Sequence, residues 1–162
     1  MTSPNANGSL LDDLYREILL DHYRQPRNHG GIDSPTCSAD GANPLCGDQV
    51  RIDVTIEDNR IAAISFSGQG CSISQASASM MTEYVKGRTV EEARAGVNAF
   101  QKMMVTAEAP GLEGFDDIEA LIGVAKFPAR VKCASLGWKT LEQALNGNRD
   151  AVTTDERSTE HV

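Results

Sequence analysis

The chain has 162 residues, of which 40% are apolar and 23% charged, and its formal net charge is −8. This length and apolar content suit one folded domain with a sizeable core and exclude a disordered chain. The acidic balance gives no overall attraction for phosphate backbones or anionic lipid, so we expect neither a nucleic-acid partner nor a membrane.

The sequence also indicates a compartment. No apolar run reaches the roughly 18 residues of a spanning helix, and residues 1–7 lack the basic and apolar regions of a secretory signal. We therefore expect a cytoplasmic protein. Its four cysteines are too few for a disulfide scaffold, and cytosolic thiols stay reduced, so a task that they share would be metal binding or thiol chemistry.

The first half of the chain predicts a helix, a loop and a hairpin. Apolar residues recur at helical spacing over residues 10–24, and Pro26 stops that helix. Residues 26–45, rich in Gly and Pro, predict a long irregular segment. Apolar and polar residues alternate over residues 50–56 and 61–67, which predicts two antiparallel strands joined by a turn.

Helices dominate the second half. A helix is expected to begin at Cys71 or one residue later and to end at Gly87. Thr89 and Glu92 form a capping box that opens the next helix, which we expect to end near Ala107. A short helical stretch over residues 117–124 and a last helix over residues 128–146, with Pro128 at its first position, complete the pattern.

Strands followed by helices, without alternation of the two, predict an α+β fold with a small antiparallel sheet covered by helices. We expect a disordered lead over residues 1–9, one domain over residues 10–146 and a flexible tail over residues 147–162.

Three cysteines lie at predicted element ends. Cys46 precedes the first strand of the hairpin, Cys71 begins a helix, and Cys133 lies in the first or second turn of the last helix. Outward-pointing amides and a helix N-terminus favour thiolates. The gaps of 25 and 62 residues are not those of paired zinc knuckles, so spacing alone leaves unrelated, partly buried thiols as an alternative.

Asp48 could complete a shared site. It follows Cys46 by two residues and enters a strand, so both side chains can lie on one side, although a solvated carboxylate that ends a turn is the alternative. Three thiolates and one carboxylate fill a tetrahedral zinc shell, in which the carboxylate is the labile ligand. The negative site would need cations nearby, and Arg130 and Lys132 flank Cys133 on the last helix.

Four motifs carry a resemblance to a known family. They are YREILLDHYRQPRN from Tyr15, NPLCGD from Asn43, GQGCSISQASASMM from Gly68 and KFPARVKCASLGWK from Lys126. Together they resemble the U-type iron–sulfur cluster assembly family with the IscU-like fold, over residues 10–146. Lys132 stands where IscU-type chains usually have His, and residues 87–126 are longer than theirs. Both departures resemble the SufU branch.

The resemblance implies a sheet of about three strands and a site formed by Cys46, Asp48, Cys71 and Cys133. It further implies Zn²⁺ as cofactor, a SufS-type cysteine desulfurase as sulfur donor and a downstream SUF scaffold as recipient. We expect Cys46 to be the catalytic acceptor, which a partner residue releases from the metal so that its thiolate attacks the persulfide. Arg130 and Lys132 would balance charge or contact the partner.

Two other functions remain open on the sequence. The same four ligands could hold a [2Fe–2S] cluster that is assembled and passed on, or a zinc ion that only supports the fold of an adaptor. Cys37 has no counterpart in the family's site, and we interpret it as a bystander on the irregular segment. We interpret His22 as structural.

Overall fold

The computed structural model describes residues 6–147 and 152–153. The helices and strands alternate little along the chain, and the helices are mostly in its second half. In chain order the elements are α1 (Ala6–Arg24), β1 (Cys37–Asn43), β2 (Asp48–Glu57), β3 (Arg60–Gln69), α2 (Ser72–Val85), α3 (Val90–Thr106), a 3₁₀ helix (Ile118–Lys126), α4 (Pro128–Leu145) and β4 (Val152–Thr153).

The strands form a sheet of order β3-β2-β1-β4, in which β3, β2 and β1 are antiparallel and β4 runs parallel to β1. The predicted hairpin is confirmed. Its turn residues Asp58 and Asn59 both have positive φ, the geometry that matches the twist of the flanking strands. The predicted α+β fold with about three antiparallel strands is therefore correct.

Strand β1 corrects the sequence interpretation, because Cys37–Asn43 lies inside the segment predicted to be irregular. This strand contains no β-branched or aromatic residue, so its composition does not favour a strand. It forms because all seven of its residues pair with β2, from Cys37 opposite Val54 to Asn43 opposite Asp48. Cys37 therefore lies in the sheet and not on a loop.

The ends of the domain also differ from the expectation. Helix α1 begins at Ala6, inside the predicted lead, and Val152–Thr153 of the predicted tail pairs with Gly41 and Ala42 of β1. The other residues of the lead and tail, 1–5, 148–151 and 154–162, lie outside the described residues. Within the part that is described, no helix is both long and apolar enough to cross a membrane.

Aromatic packing joins the helices above the sheet. The fully buried Trp138 of α4 stacks on Phe100 of α3, with ring centroids 4.5 Å apart, and Phe115 lies 5.9 Å from it. The indole N–H donates to Ser77 Oγ on α2 at 3.1 Å. Because Trp138 contacts three neighbours at once, it fixes α4, and with it Cys133, relative to α2 and α3.

Candidate metal centre

The loop between β1 and β2 presents Cys46. Residues 44–47 connect Asn43 to its sheet partner Asp48. The Asn43 carbonyl accepts hydrogen bonds from the backbone N–H of Cys46 (3.2 Å) and of Gly47 (2.9 Å). Gly47 has φ +73°, a conformation open to glycine, and Cys46 is exposed. The sequence therefore forms a tight turn that displays one thiol to solvent.

Asp48 and Cys71 meet where β3 passes into α2. The backbone N–H of Cys71 donates to Asp48 Oδ1 at 2.9 Å, and Cys71 Sγ lies 3.8 Å from Asp48 Oδ2. Cys71 is the N-cap of α2, as expected, and its sulfur accepts the Ser74 N–H at 3.4 Å. A Cβ at Gly70 would lie 2.8 Å from Asp48 Oδ1. Glycine is therefore needed there for the carboxylate to approach.

Cys133 approaches from α4. Its sulfur lies 3.4 Å from Cys46 Sγ and 3.6 Å from the Ala129 carbonyl, and only 4% of the residue is exposed. Burial raises the pKa of the Cys133 thiol well above its ordinary value, and the thiol of Cys46 and the potential negative charges of Cys71 and Asp48 raise it further. The other groups of the cluster thus disfavour a thiolate at Cys133 as long as no cation is present.

Three residues of the predicted set lie within reach of one metal ion, and the fourth, Cys71, contacts one of them. Donor atoms of Cys46, Asp48 and Cys133 lie within 4.8 Å of one another, and Cys71 joins them through its contacts with Asp48. A tetrahedral zinc ion places two thiolate sulfurs roughly 3.8 Å apart and a sulfur and an oxygen roughly 3.5 Å apart. The observed distances of 3.4 Å between sulfurs and 3.8 Å between sulfur and oxygen are close to those edges. The types of the donor atoms and these two distances therefore fit zinc.

The two predicted cations lie on α4, close to Cys133 in the chain. Arg130 precedes Cys133 by three residues and is exposed, whereas Lys132 is half-buried. Between residues 6 and 147, neither forms an ion pair within 4.0 Å. Both charges remain available to a partner or to an anionic site.

Cys37 and His22 lie apart from this cluster. Cys37 begins β1, six residues before Asn43. His22 is fully buried, with Nδ1 2.8 Å from Ser79 Oγ and Nε2 3.1 Å from Asp117 Oδ2. His22, Glu83 and Asp117 could also surround a metal ion. This cluster is also explained without a metal ion. Both ring nitrogens of His22 have hydrogen-bond partners, and the Arg27 guanidinium lies 3.9 Å from Glu83 Oε2.

The sequence interpretation missed Asn43. This fully buried residue accepts the Leu45 N–H on Oδ1 at 3.3 Å, and its Nδ2 lies 3.7 Å from Cys133 Sγ. An Asn side chain that accepts the N–H two residues later is an Asx turn, and Asn followed by Pro and Leu is a sequence signal for it. That signal could have placed Asn43 in the loop, although not against Cys133.

Comparison with known proteins gives the family. The model of the NifU-like N terminal domain matches residues 14–150. The chain is 45% identical over 141 residues to the zinc-dependent sulfurtransferase SufU of Bacillus subtilis, covering 87% of this chain and 93% of the relative. It is 39% identical over 143 residues to the iron–sulfur cluster assembly scaffold protein IscU of Streptococcus pyogenes, covering 88% and 89%.

A solved structure supports the same family assignment as the relatives found by sequence. The N-terminal part of a nitrogen-fixing NifU-like protein from Brucella abortus superposes with a TM-score of 0.75 at 25% identity, over 85% of this chain and 95% of that one. The resemblance indicated by the four motifs is confirmed. This chain belongs to the family of the NifU-like N-terminal domain.

Proposed function

We propose that this chain takes part in iron–sulfur cluster assembly as a zinc-dependent sulfurtransferase, which accepts persulfide sulfur from a SufS-type cysteine desulfurase and passes it to the SUF assembly machinery. The observation that carries the proposal is the cluster of Cys46, Asp48 and Cys133, whose donor atoms lie within 4.8 Å of one another, with Cys71 Sγ 3.8 Å from Asp48 Oδ2. The relative named a zinc-dependent sulfurtransferase, with 45% identity over most of both chains, supports the same assignment.

Cys46, Asp48, Cys71 and Cys133 would hold the zinc ion. When bound, zinc supplies the positive charge that keeps these thiols deprotonated at neutral pH. The buried Asp48 accepts the Cys71 N–H and so orients both itself and the start of α2. The positive end of the α2 dipole also favours a thiolate at Cys71.

Cys46 is the best candidate for the sulfur acceptor. Cys133 is buried, whereas Cys46 and Cys71 are both exposed. Of these two, Cys71 is held by two hydrogen bonds at the start of α2, and Cys46 lies in a four-residue turn. The Cys46 thiolate would attack the outer sulfur of the desulfurase persulfide. A new S–S bond forms, the donor's S–S bond breaks, and the donor cysteine leaves as a thiolate. No external oxidant or reductant is needed.

The surface around the thiols suits a partner with acidic and apolar groups. Leu45 and Phe127 are 71% and 56% exposed, which is unusual for large apolar residues, and each lies within a few residues of a site cysteine. Lys126, Arg130 and Lys132 add positive charge on the same stretch of chain. We propose that the desulfurase docks here.

The test is desulfurase turnover with and without this chain. Zinc-loaded wild type should stimulate turnover, and Cys46→Ala should reduce stimulation to the level without the chain. Asp48→Ala should lose zinc to a chelator at least about tenfold faster, because one ligand is removed. Cys37→Ala, which removes a thiol outside the cluster, is the matched control. Full stimulation by Cys46→Ala would overturn its role as acceptor.

A [2Fe–2S] scaffold is the second candidate, because the same donor set accepts iron and because another relative is named a scaffold protein. Metal analysis and the visible spectrum of anaerobically purified protein separate the two. About one zinc ion per chain without colour supports the sulfurtransferase, and iron with visible absorbance supports the scaffold. Zinc binding without any stimulation of the desulfurase would support the third possibility, an adaptor in which zinc only stabilises the fold.

A further inference from the structure

Asn43 uses both ends of its side-chain amide at the thiol cluster. It is fully buried, and its Oδ1 accepts the Leu45 N–H while its Nδ2 faces Cys133 Sγ at 3.7 Å. The Leu45 N–H requires an oxygen acceptor, so this contact fixes the orientation of the amide. The NH₂ group, which can only donate, is therefore the end that faces the sulfur.

The three sulfurs differ in the N–H donors that face them. Cys133 Sγ faces the Asn43 amide, and Cys71 Sγ accepts the Ser74 backbone N–H. Over residues 6–147, no N–H donates to Cys46 Sγ, whose contact is with the thiol of Cys133. An N–H donor stabilises a thiolate and lowers its nucleophilicity, since charge on the sulfur is partly neutralised.

Asn43 also controls the position of the acceptor loop. Its carbonyl accepts the N–H groups of Cys46 and Gly47, and its side chain accepts that of Leu45. One buried residue thus holds the loop that carries Cys46 and contacts the sulfur opposite it. Removing its side chain would change the Cys133 environment while the two carbonyl contacts to the loop remain.

We propose that Asn43 is a positioning residue that makes Cys133 a retained ligand and leaves Cys46 as the exchangeable, sulfur-accepting thiolate. This inference rests on the proposed function. Besides their difference in burial, the two sulfurs, 3.4 Å apart, differ in one amide donor that faces only Cys133.

Alkylation of the zinc-loaded full-length chain tests the proposal. Limiting iodoacetamide is added, and peptide mass spectrometry measures the rate at each cysteine. In wild type, Cys46 should react faster than Cys133. In Asn43→Leu, which has a similar volume and no amide, the ratio of the Cys46 rate to the Cys133 rate should fall roughly tenfold or more, the size expected for a lost hydrogen bond to a charged group.

A second measurement does not depend on solvent access. In the Co²⁺-substituted chain, loss of the donor should leave more charge on the Cys133 sulfur and move the sulfur-to-cobalt absorption band to longer wavelength. Asn43→Asp keeps the oxygen that accepts the Leu45 N–H but lacks the donor, so it should shift the band in the same direction. This variant covers the case in which Asn43→Leu fails to fold.

Asn98→Leu is the matched control. It makes the same substitution at an exposed position of α3, outside the thiol cluster. Asn98→Leu should leave the rate ratio and the cobalt band unchanged. An unchanged ratio in both Asn43 variants, or the same fall in Asn98→Leu, would overturn the inference alone. A wild-type chain that takes up no zinc would overturn the proposed function and this inference together.

Discussion

Single residues determine the chemistry of this site through burial and the groups that face them. Cys46 and Cys133 are the same residue type 3.4 Å apart, yet one is exposed on a turn and the other is buried beneath it. Asp48 is 1% exposed and is bonded to the Cys71 N–H, so it is a fixed ligand candidate and not a solvated carboxylate at the end of a turn. The environment of each side chain therefore decides between the alternatives that the sequence left open.

Burial also changes the chemistry of Cys37, which lies outside the thiol cluster. Burial raises the pKa of the Cys37 thiol. The folded chain therefore keeps this proton to a higher pH than the unfolded chain, in which the pKa of a cysteine is about 8.5. The resulting contribution to stability is fully present below that pH and is lost as the pH rises toward the raised pKa.

This gives a pH-dependent prediction for Cys37→Val. Between about pH 8 and about pH 10, the free energy of unfolding of wild type should fall more steeply than that of Cys37→Val, because the variant has no thiol to titrate there. Urea unfolding at several pH values, with equal zinc loading, measures how steeply the free energy of unfolding of each protein falls with pH. Cys37→Ala should show the same shallower fall as Cys37→Val. Equal slopes in all three proteins would contradict the prediction.

Among the elements, β1 depends most on its neighbours. It carries Asn43 at its end and lies against α4, which carries Cys133, so this contact fixes the distance between the two halves of the site. Gly41 is buried at the contact, where a Cβ would lie in conflict with Thr140 Oγ1 and 3.1 Å from Leu136 Cδ1. Strand and helix can approach this closely because position 41 has no side chain.

Gly41→Ala is therefore expected to destabilise the fold by about 1–3 kcal/mol, the usual cost of an added methyl group in a packed core. Thr140 is fully buried and its hydroxyl donates to the Leu136 carbonyl at 2.7 Å, so it cannot move aside without loss. Gly123→Ala is the control, since a Cβ there meets open space. Urea unfolding should show a clear loss for Gly41→Ala only, and equal stability of the two variants would refute the argument.

At the scale of the whole molecule, the net charge of −8 conceals a separation of charge. Residues 108–125 carry five acidic residues and no base, whereas residues 126–139 carry four bases and no acid. The basic stretch begins at the end of the 3₁₀ helix and continues into α4, beside Cys133. An acidic chain can therefore present a basic surface at its thiols.

This separation predicts the salt dependence of desulfurase docking. Arg130→Glu and Lys132→Glu should each raise, several-fold, the concentration of this chain that half-stimulates the desulfurase, because each reverses a charge at the docking surface. Added salt should weaken the wild type more than either variant. Lys86→Glu makes the same charge change at the opposite end of α2, about 20 Å from Cys71, and should have little effect. Equal effects of all three variants would exclude a local electrostatic surface.

Much of this protein is determined by local sequence. Alternating apolar residues gave the β2–β3 hairpin, the capping box of Thr89 and Glu92 marked the start of α3, and Pro128 marked the start of α4. These signals act between residues close in the chain, which explains their success. The cysteine motifs likewise identified the family, and they predicted the residues of the metal site.

The tertiary structure decided the remainder, because the contacts involved join residues far apart in the chain. Strand β1 exists through its pairing with β2 and its packing on α4, although its own composition does not favour a strand. The contact between Asn43 and Cys133 joins residues 90 positions apart. The sequence by itself predicted which thiols form the site, whereas burial and long-range packing decided that Cys133 is buried and that Cys46 and Cys71 are exposed.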